Sequence, residues 1–143
     1  MSLYILDTNC FSHWQKNHPM MVQRVEVNAE NLAVTIVTVE EAIRGWFNEI
    51  RKASVPSQAD KLVLAYTNLW DTLDDFKNLN ILNFDQNAST IYTEFRRQRI
   101  RIGTQDLRIA AIVLANNAIL VTCNYQHFSQ VPGLVQEDWT IQR

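Results

Sequence analysis

Three acidic positions carry the strongest chemical signal in this chain: Asp7, the neighbours Glu40 and Glu41, and Asp106. Asp7 ends the apolar run Leu3-Tyr4-Ile5-Leu6, and Glu40 and Glu41 follow the run from Leu32 to Val37 by three or four residues. Asp106 starts the segment that feeds a third run, Ala118 to Val121, which is followed by Thr122 and Asn124. In an open parallel sheet, ligands gather outside the carboxyl ends of the strands, so these acids could converge on one rim. Carboxylates brought within a few ångströms repel one another and must be protonated or compensated by a cation. Magnesium or manganese is the natural compensator, because hard divalent ions prefer oxygen ligands. An ion held this way can activate water against a phosphodiester and stabilise the leaving oxygen. Metal-assisted phosphodiester hydrolysis is the leading chemistry. No phosphate-binding GxxxxGKS or GxxxxGKT loop, GxSxG elbow or GxGxxG turn suggests another.

Each acid also has a structural reading. Asp7 suits the N-cap of a helix that follows a strand. Thr38-Val39-Glu40-Glu41 matches a capping box, with Glu41 bonding back to the Thr38 amide. Asp106 in the first turn after Thr104 suits the helix dipole, and Glu40 reads as a solvated helix residue.

The elements that must hold these residues follow from apolar spacing. Unbroken runs at 3–6, 32–37 and 118–121 read as strands buried on both faces. Ile81 to Phe84 is a shorter candidate, and Trp139 to Ile141 a possible edge strand. Spacings of three and four predict helices over about 9–28, 39–53, 57–77, 86–101 and 105–117. The alternation implies a three-layer α/β/α sandwich with a mainly parallel central sheet. With 143 residues, 47% of them hydrophobic and only three glycines and three prolines, one domain over 1–143 is expected. A net charge of -2 and a pI near 5.9 exclude a uniformly basic nucleic-acid binder and leave room for a local basic patch. Cys10 and Cys123 make neither a zinc spacing nor a disulfide framework, which suits a reducing cytoplasm. No signal peptide is visible, and the run Ile109 to Ala115 is too short to span a bilayer.

Four segments resemble one family. Leu6-Asp7-Thr8-Asn9 looks like the opening of PIN domains, and Thr38-Val39-Glu40-Glu41-Ala42-Ile43-Arg44-Gly45 is similar to their T-x-x-E-L-x-x-G segment, with Ala42 in place of Leu. Residues 102–111, from Ile102 through Asp106 to Ala111, resemble the third motif. Val121-Thr122-Cys123-Asn124-Tyr125-Gln126-His127-Phe128, with Pro132-Gly133 and Trp139 beyond it, resembles the C-terminal signature of VapC-type toxins. The resemblance implies a metal-dependent ribonuclease, the toxin of a toxin–antitoxin pair, with RNA, a cognate antitoxin and a second copy of itself as partners. It selects Glu41 over Glu40 and implies that Asp7, Glu41 and Asp106 hold Mg2+ or Mn2+, supported by Thr8, Asn9, Thr122 and Asn124. The family usually carries Asp or Glu where this chain has His127. Imidazole adds no negative charge, so manganese should be favoured over magnesium.

Arg96, Arg97, Arg99, Arg101 and Arg108 form a basic cluster around Asp106. They could draw an RNA backbone towards the acids or simply solvate a helix face. Asp85 reads as a helix N-cap, Trp14, Trp46, Trp70 and Phe76 as core or interface, and Cys10 and Cys123 as small buried hydrophobes. Two rival functions follow. One is a PIN-fold RNA- or protein-binding module with impaired catalysis, suggested by His127. The other is an aspartyl-phosphate enzyme, disfavoured by Asn9 where a second Asp is needed.

Overall fold

Every interior residue of the central strands finds apolar company on one side of the sheet or the other. The computed structural model describes residues 2–141. Its five strands are β1 (Tyr4–Leu6), β2 (Leu32–Thr35), β3 (Asn80–Leu82), β4 (Ile119–Val121) and β5 (Gln136–Glu137), all parallel, in the order β3-β2-β1-β4-β5. Ile5, Ala33 and Leu120 point into one core, with Ala88 and Phe95 of α5 (Gln86–Arg97) and Leu107, Ile109, Ala110, Ile112 and Val113 of α6 (Thr104–Ala115). Leu6, Val34 and Val121 point the other way, onto Cys10 and Phe11 of α1 (Thr8–Gln15), Met21 and Val25 of α2 (Pro19–Val27) and Phe76. This alternation of period two, apolar on both faces, is what a sheet covered by helices on both sides requires. The expected α/β/α sandwich is the observed architecture.

Phe76 lies on α4 (Ala59–Lys77), which packs antiparallel to α3 (Ile36–Lys52) as a helical hairpin. The chain steps outward from β1 to β2 and β3, then returns to the other side of β1 for β4 and β5. The direction of winding therefore reverses at β1 and β4, whose carboxyl ends flank a natural crevice.

Several boundaries differ from the sequence reading, each for a local reason. The helix expected over 9–28 is two, because Asn17 takes φ 60 and Pro19 starts a new helix at its first position. β2 stops at Thr35, which caps α3, so that helix starts three residues earlier than its apolar spacing suggested. α5 ends at Arg97, before the left-handed Arg99 at φ 56, so Arg99 and Arg101 lie off the helix. The edge strand is Gln136–Glu137, not Trp139 to Ile141. Trp139 is instead buried, its ring centroid 5.1 Å from that of Tyr4 and its indole N–H donating to Glu137. A short helix, α7 (Tyr125–Phe128), was not anticipated.

Candidate active site

Asp7 is the first polar residue beyond β1. The register that pairs Leu6 with Val121 places it beside Thr122, and its amide donates to the Val121 carbonyl at 3.0 Å. Its Oδ1 accepts the Cys10 amide at 2.8 Å, so the capping reading of Asp7 holds. Capping does not exhaust the residue: it is only 4% exposed, and burial pushes its carboxyl pKa up. The Thr122 hydroxyl and the Cys10 amide oppose that rise, and the charge of Asp106 adds to it.

Glu41 reaches the same rim from α3. Thr35 accepts the Thr38 amide at 3.1 Å, so the expected capping box is displaced by one turn and Glu41 is not needed to bond back to Thr38. Thr38 and Glu41, three apart, then share a helix face. Thr8 donates its hydroxyl hydrogen to Glu41 Oε1 at 2.6 Å, and Thr8 Oγ1 lies 3.0 Å from Thr38 Oγ1. Because one hydroxyl has one hydrogen, Thr38 supplies the donor in that second contact. Thr38 therefore orients Thr8, which orients Glu41. Burial raises the Glu41 pKa, Thr8 opposes, and Asp106, Glu40 and Asp7 raise it further. Glu40 turns outward, pairing with Arg44 and accepting from Gln105 at 2.7 Å.

Asp106 stands in the first turn of α6, half-buried, with Oδ2 3.0 Å from His127 Nε2 on α7. His127 therefore points at the acids while its ring packs edge-on against Phe128, centroids 5.4 Å apart. Asn124 caps α7 and donates its amide to Thr122 Oγ1 at 3.0 Å; Asn9 and Asn124 are exposed at the rim. The chain thus brings Asp7, Glu41, Asp106 and His127 to one crevice, with Thr8, Asn9, Thr122 and Asn124 around it.

The donor chemistry fits a hard cation. Glu41 and Asp106 each use one oxygen on a neighbour and leave the other without a partner among the described residues. The charge of Asp106 adds to the raised pKa of both Asp7 and Glu41, and Asp7 adds to that of Glu41, as expected of acids with no cation between them. Among the described residues, no three His, Cys, Asp or Glu side chains are close enough to enclose an ion.

The arginines divide. Arg97 pairs with Glu94 at 3.0 Å, and Arg96, Arg99 and Arg101 are exposed. Arg108 is half-buried, held by Gln105 and by the Tyr92 ring. Asp85 caps α5 through the Ala88 amide, as expected. Cys10 is buried, but Cys123 is exposed, contrary to expectation, because it lies in the turn after β4. Sequence reasoning missed the roles of Thr35, Thr38 and Gln105. The spacing of three between Thr35, Thr38 and Glu41 was the available signal.

Comparison with known proteins identifies the family and the fold. The family model described as PIN domain matches residues 4–134. Ribonuclease VapC1 of Haemophilus influenzae (strain R2866) is 30% identical over 142 residues, 96% of this chain and 98% of the relative. The tRNA(fMet)-specific endonuclease VapC of Shigella flexneri is 30% identical over 145 residues, 98% of this chain and 100% of the relative. The solved structure of VapBC-1 from nontypeable Haemophilus influenzae matches with TM-score 0.76 and 26% identity, covering 97% of this chain and 99% of the other. DNA-bound VapBC from Salmonella typhimurium matches in fold, with TM-score 0.78, 23% identity and coverage of 97% and 99%.

Proposed function

The chain belongs to the PIN-domain family, and from that premise we propose that it is a Mg2+- or Mn2+-dependent endoribonuclease, the toxin of a toxin–antitoxin pair. The observation that carries the reading is that Asp7, at the carboxyl end of β1 where the sheet reverses its winding, lies near enough to Asp106, and both near enough to Glu41, for their charges to act on one another. Bound there, the ion would compensate the acids, polarise the scissile phosphate and stabilise the leaving oxygen. Asp7 is fixed by the helix amide it caps, Glu41 by the Thr8–Thr38 hydroxyl pair and Asp106 by His127. Such fixing keeps the donors in place and lowers the cost of assembling the site. Arg96, Arg97, Arg99, Arg101 and Arg108 lie on the α5–α6 side and would attract the RNA backbone. Cleavage of RNA by the wild type in manganese, lost on chelation and in Asp106→Asn, tests the reading. Wild-type and Asp106→Asn protein with equal activity would refute it.

We assign the antitoxin to the face between α1 and α3. A groove of about 370 Å³ runs between α1 and α3, lined by Phe11, Gln15, Ala42, Gly45 and Trp46, and opens beside Thr8 and Glu41. An apolar segment lying in it could send an Arg or Lys onto the acids, compensating them as a metal does. The relatives solved as VapBC complexes support such a partner. A second copy is a further expected partner: Val63, Tyr66 and Trp70, at heptad-like spacing on α4, are all exposed. Among the described residues no helix is long and apolar enough to cross a membrane. A binding module without catalysis is the second reading, favoured by one observation: a histidine, not a further acid, sits against Asp106, on one of its two carboxylate oxygens.

A further inference from the structure

Of the arginines between 96 and 108, only Arg108 is both half-buried and held in one place. Its Nη1 donates to Gln105 Oε1 at 2.7 Å, and its guanidinium carbon lies 5.4 Å from the centroid of Tyr92. Among the described residues it makes no ion pair, whereas Arg44 pairs with Glu40 and Arg97 with Glu94. A half-buried cation held by an amide and a ring keeps its charge for something else, and a planar guanidinium suits a phosphate.

Arg108 also lines a groove of about 560 Å³ between the start of α3 and the α5 helix, together with the apolar Ile36, Val37, Phe84 and Tyr92 and with Glu40. Ile36 is 39% exposed although it sits on the first turn of α3 beside buried Val37, so an apolar surface is left open there. The groove meets the acidic crevice at one side-chain bridge. Gln105 donates to Glu40 Oε1 at 2.7 Å and accepts from Arg108. Glu40 and Gln105 are the chain neighbours of Glu41 and Asp106. Side chains adjacent in sequence to Glu41 and Asp106 thus link the groove to the acids.

We propose that the groove binds the nucleotide next to the scissile phosphate, its base against Ile36 and Phe84 and its phosphate on Arg108. An apolar slot beside a fixed cation takes an unstacked base, so the substrate it selects is single-stranded RNA or an extruded loop. Arg108 is a binding and specificity residue here, not a catalytic one. The inference rests on the ribonuclease reading for its substrate, but its test does not need cleavage.

The test uses the full chain and a short single-stranded oligoribonucleotide, with cleavage kinetics and, in an Asp106→Asn background, fluorescence anisotropy. Arg108→Met should raise KM and Kd about tenfold or more, the usual cost of losing a hydrogen bond to a charged group. It should leave kcat within about twofold and flatten the slope of log Kd against log salt by roughly 0.7, one phosphate contact on a single strand. Arg108→Lys should recover the salt slope. Lys61→Met, which removes one charge from the distant hairpin, should change neither. An abasic nucleotide at one position beside the cut should weaken binding to the wild type but not to Ile36→Ser.

If Arg108→Met binds RNA with wild-type affinity and salt slope, or loses kcat alone, the inference is overturned. It is overturned equally if Arg108→Met weakens only a protein partner. If the wild type cleaves no RNA yet binds the oligonucleotide through Arg108, the groove assignment stands and the nuclease reading falls.

Discussion

Asp7 and Asp85 both follow a strand, both take extended backbone at a helix N-cap, and both accept the amide three residues on, Cys10 at 2.8 Å and Ala88 at 2.9 Å. Locally they are the same turn. Asp7, however, ends the central strand β1, is 4% exposed and has its carboxyl pKa raised by burial, with Asp106 adding to the rise. Asp85 follows the edge strand β3 and is exposed. A carboxylate at an N-cap becomes available for chemistry when topology buries it beside other acids. At the edge of the sheet the same motif only starts a helix.

The widest separation between the two turns should be in activity. Asp7→Asn and Asp106→Asn should each lower kcat/KM on RNA at least about 100-fold, because a bound ion supplies several kcal/mol to the transition state. Asp85→Asn should stay within about twofold, since Asn caps as well as Asp. Comparable losses at Asp7 and Asp85 would erase the distinction drawn here. Thr8→Val should cost about tenfold, the scale of losing a group that orients a ligand; unchanged kinetics would free Glu41 from the Thr8–Thr38 pair.

Stability should separate them in the opposite sense. Asp85→Ala removes a cap and should cost about 1 kcal/mol, read from urea unfolding. Asp7→Asn keeps the cap and removes a buried charge, so the metal-free protein should become more stable at neutral pH. The sign follows from the folded pKa of Asp7 lying above its unfolded value of 3.8. The ionised carboxylate then destabilises the fold above the folded pKa, and that penalty fades as pH falls through it. The advantage of Asp7→Asn should accordingly shrink on acidification; an advantage independent of pH would contradict the assigned cause. The smallest effect expected is at His127. His127→Asp should raise magnesium-supported activity relative to manganese, because it exchanges a nitrogen donor beside Asp106 for an oxygen. An unchanged metal preference would show that the imidazole serves Asp106 only as a hydrogen-bond partner.

The layers of the fold were legible because Ile5, Leu6, Ala33, Val34, Leu120 and Val121 are apolar on both faces of the sheet. Element ends were less so. Pro19 signalled a break that the apolar spacing ran across, and Thr35 reads as strand until its hydroxyl is seen to cap α3. Trp139 has the composition of a strand residue but fills the core beside Tyr4, leaving the edge to Gln136–Glu137. At the site, residue types and the PIN-domain resemblance pointed to Asp7, Glu41 and Asp106. The contact of His127 with Asp106 was not legible, since it depends on how α7 is set against α6. Gln105 was invisible for the same reason, because its partners Glu40 and Arg108 lie on different elements.

The most direct test is metal-induced stabilisation, measured as the melting temperature across a manganese titration for wild type, Asp85→Asn and the Asp7→Asn/Asp106→Asn double variant. Binding to the folded state alone stabilises by about 2.7 kcal/mol at 100 times Kd. Manganese should raise the melting temperature of the wild type and Asp85→Asn alike and leave the double variant unmoved. Equal stabilisation of all three proteins would place the ion elsewhere and contradict the acidic crevice as a metal centre.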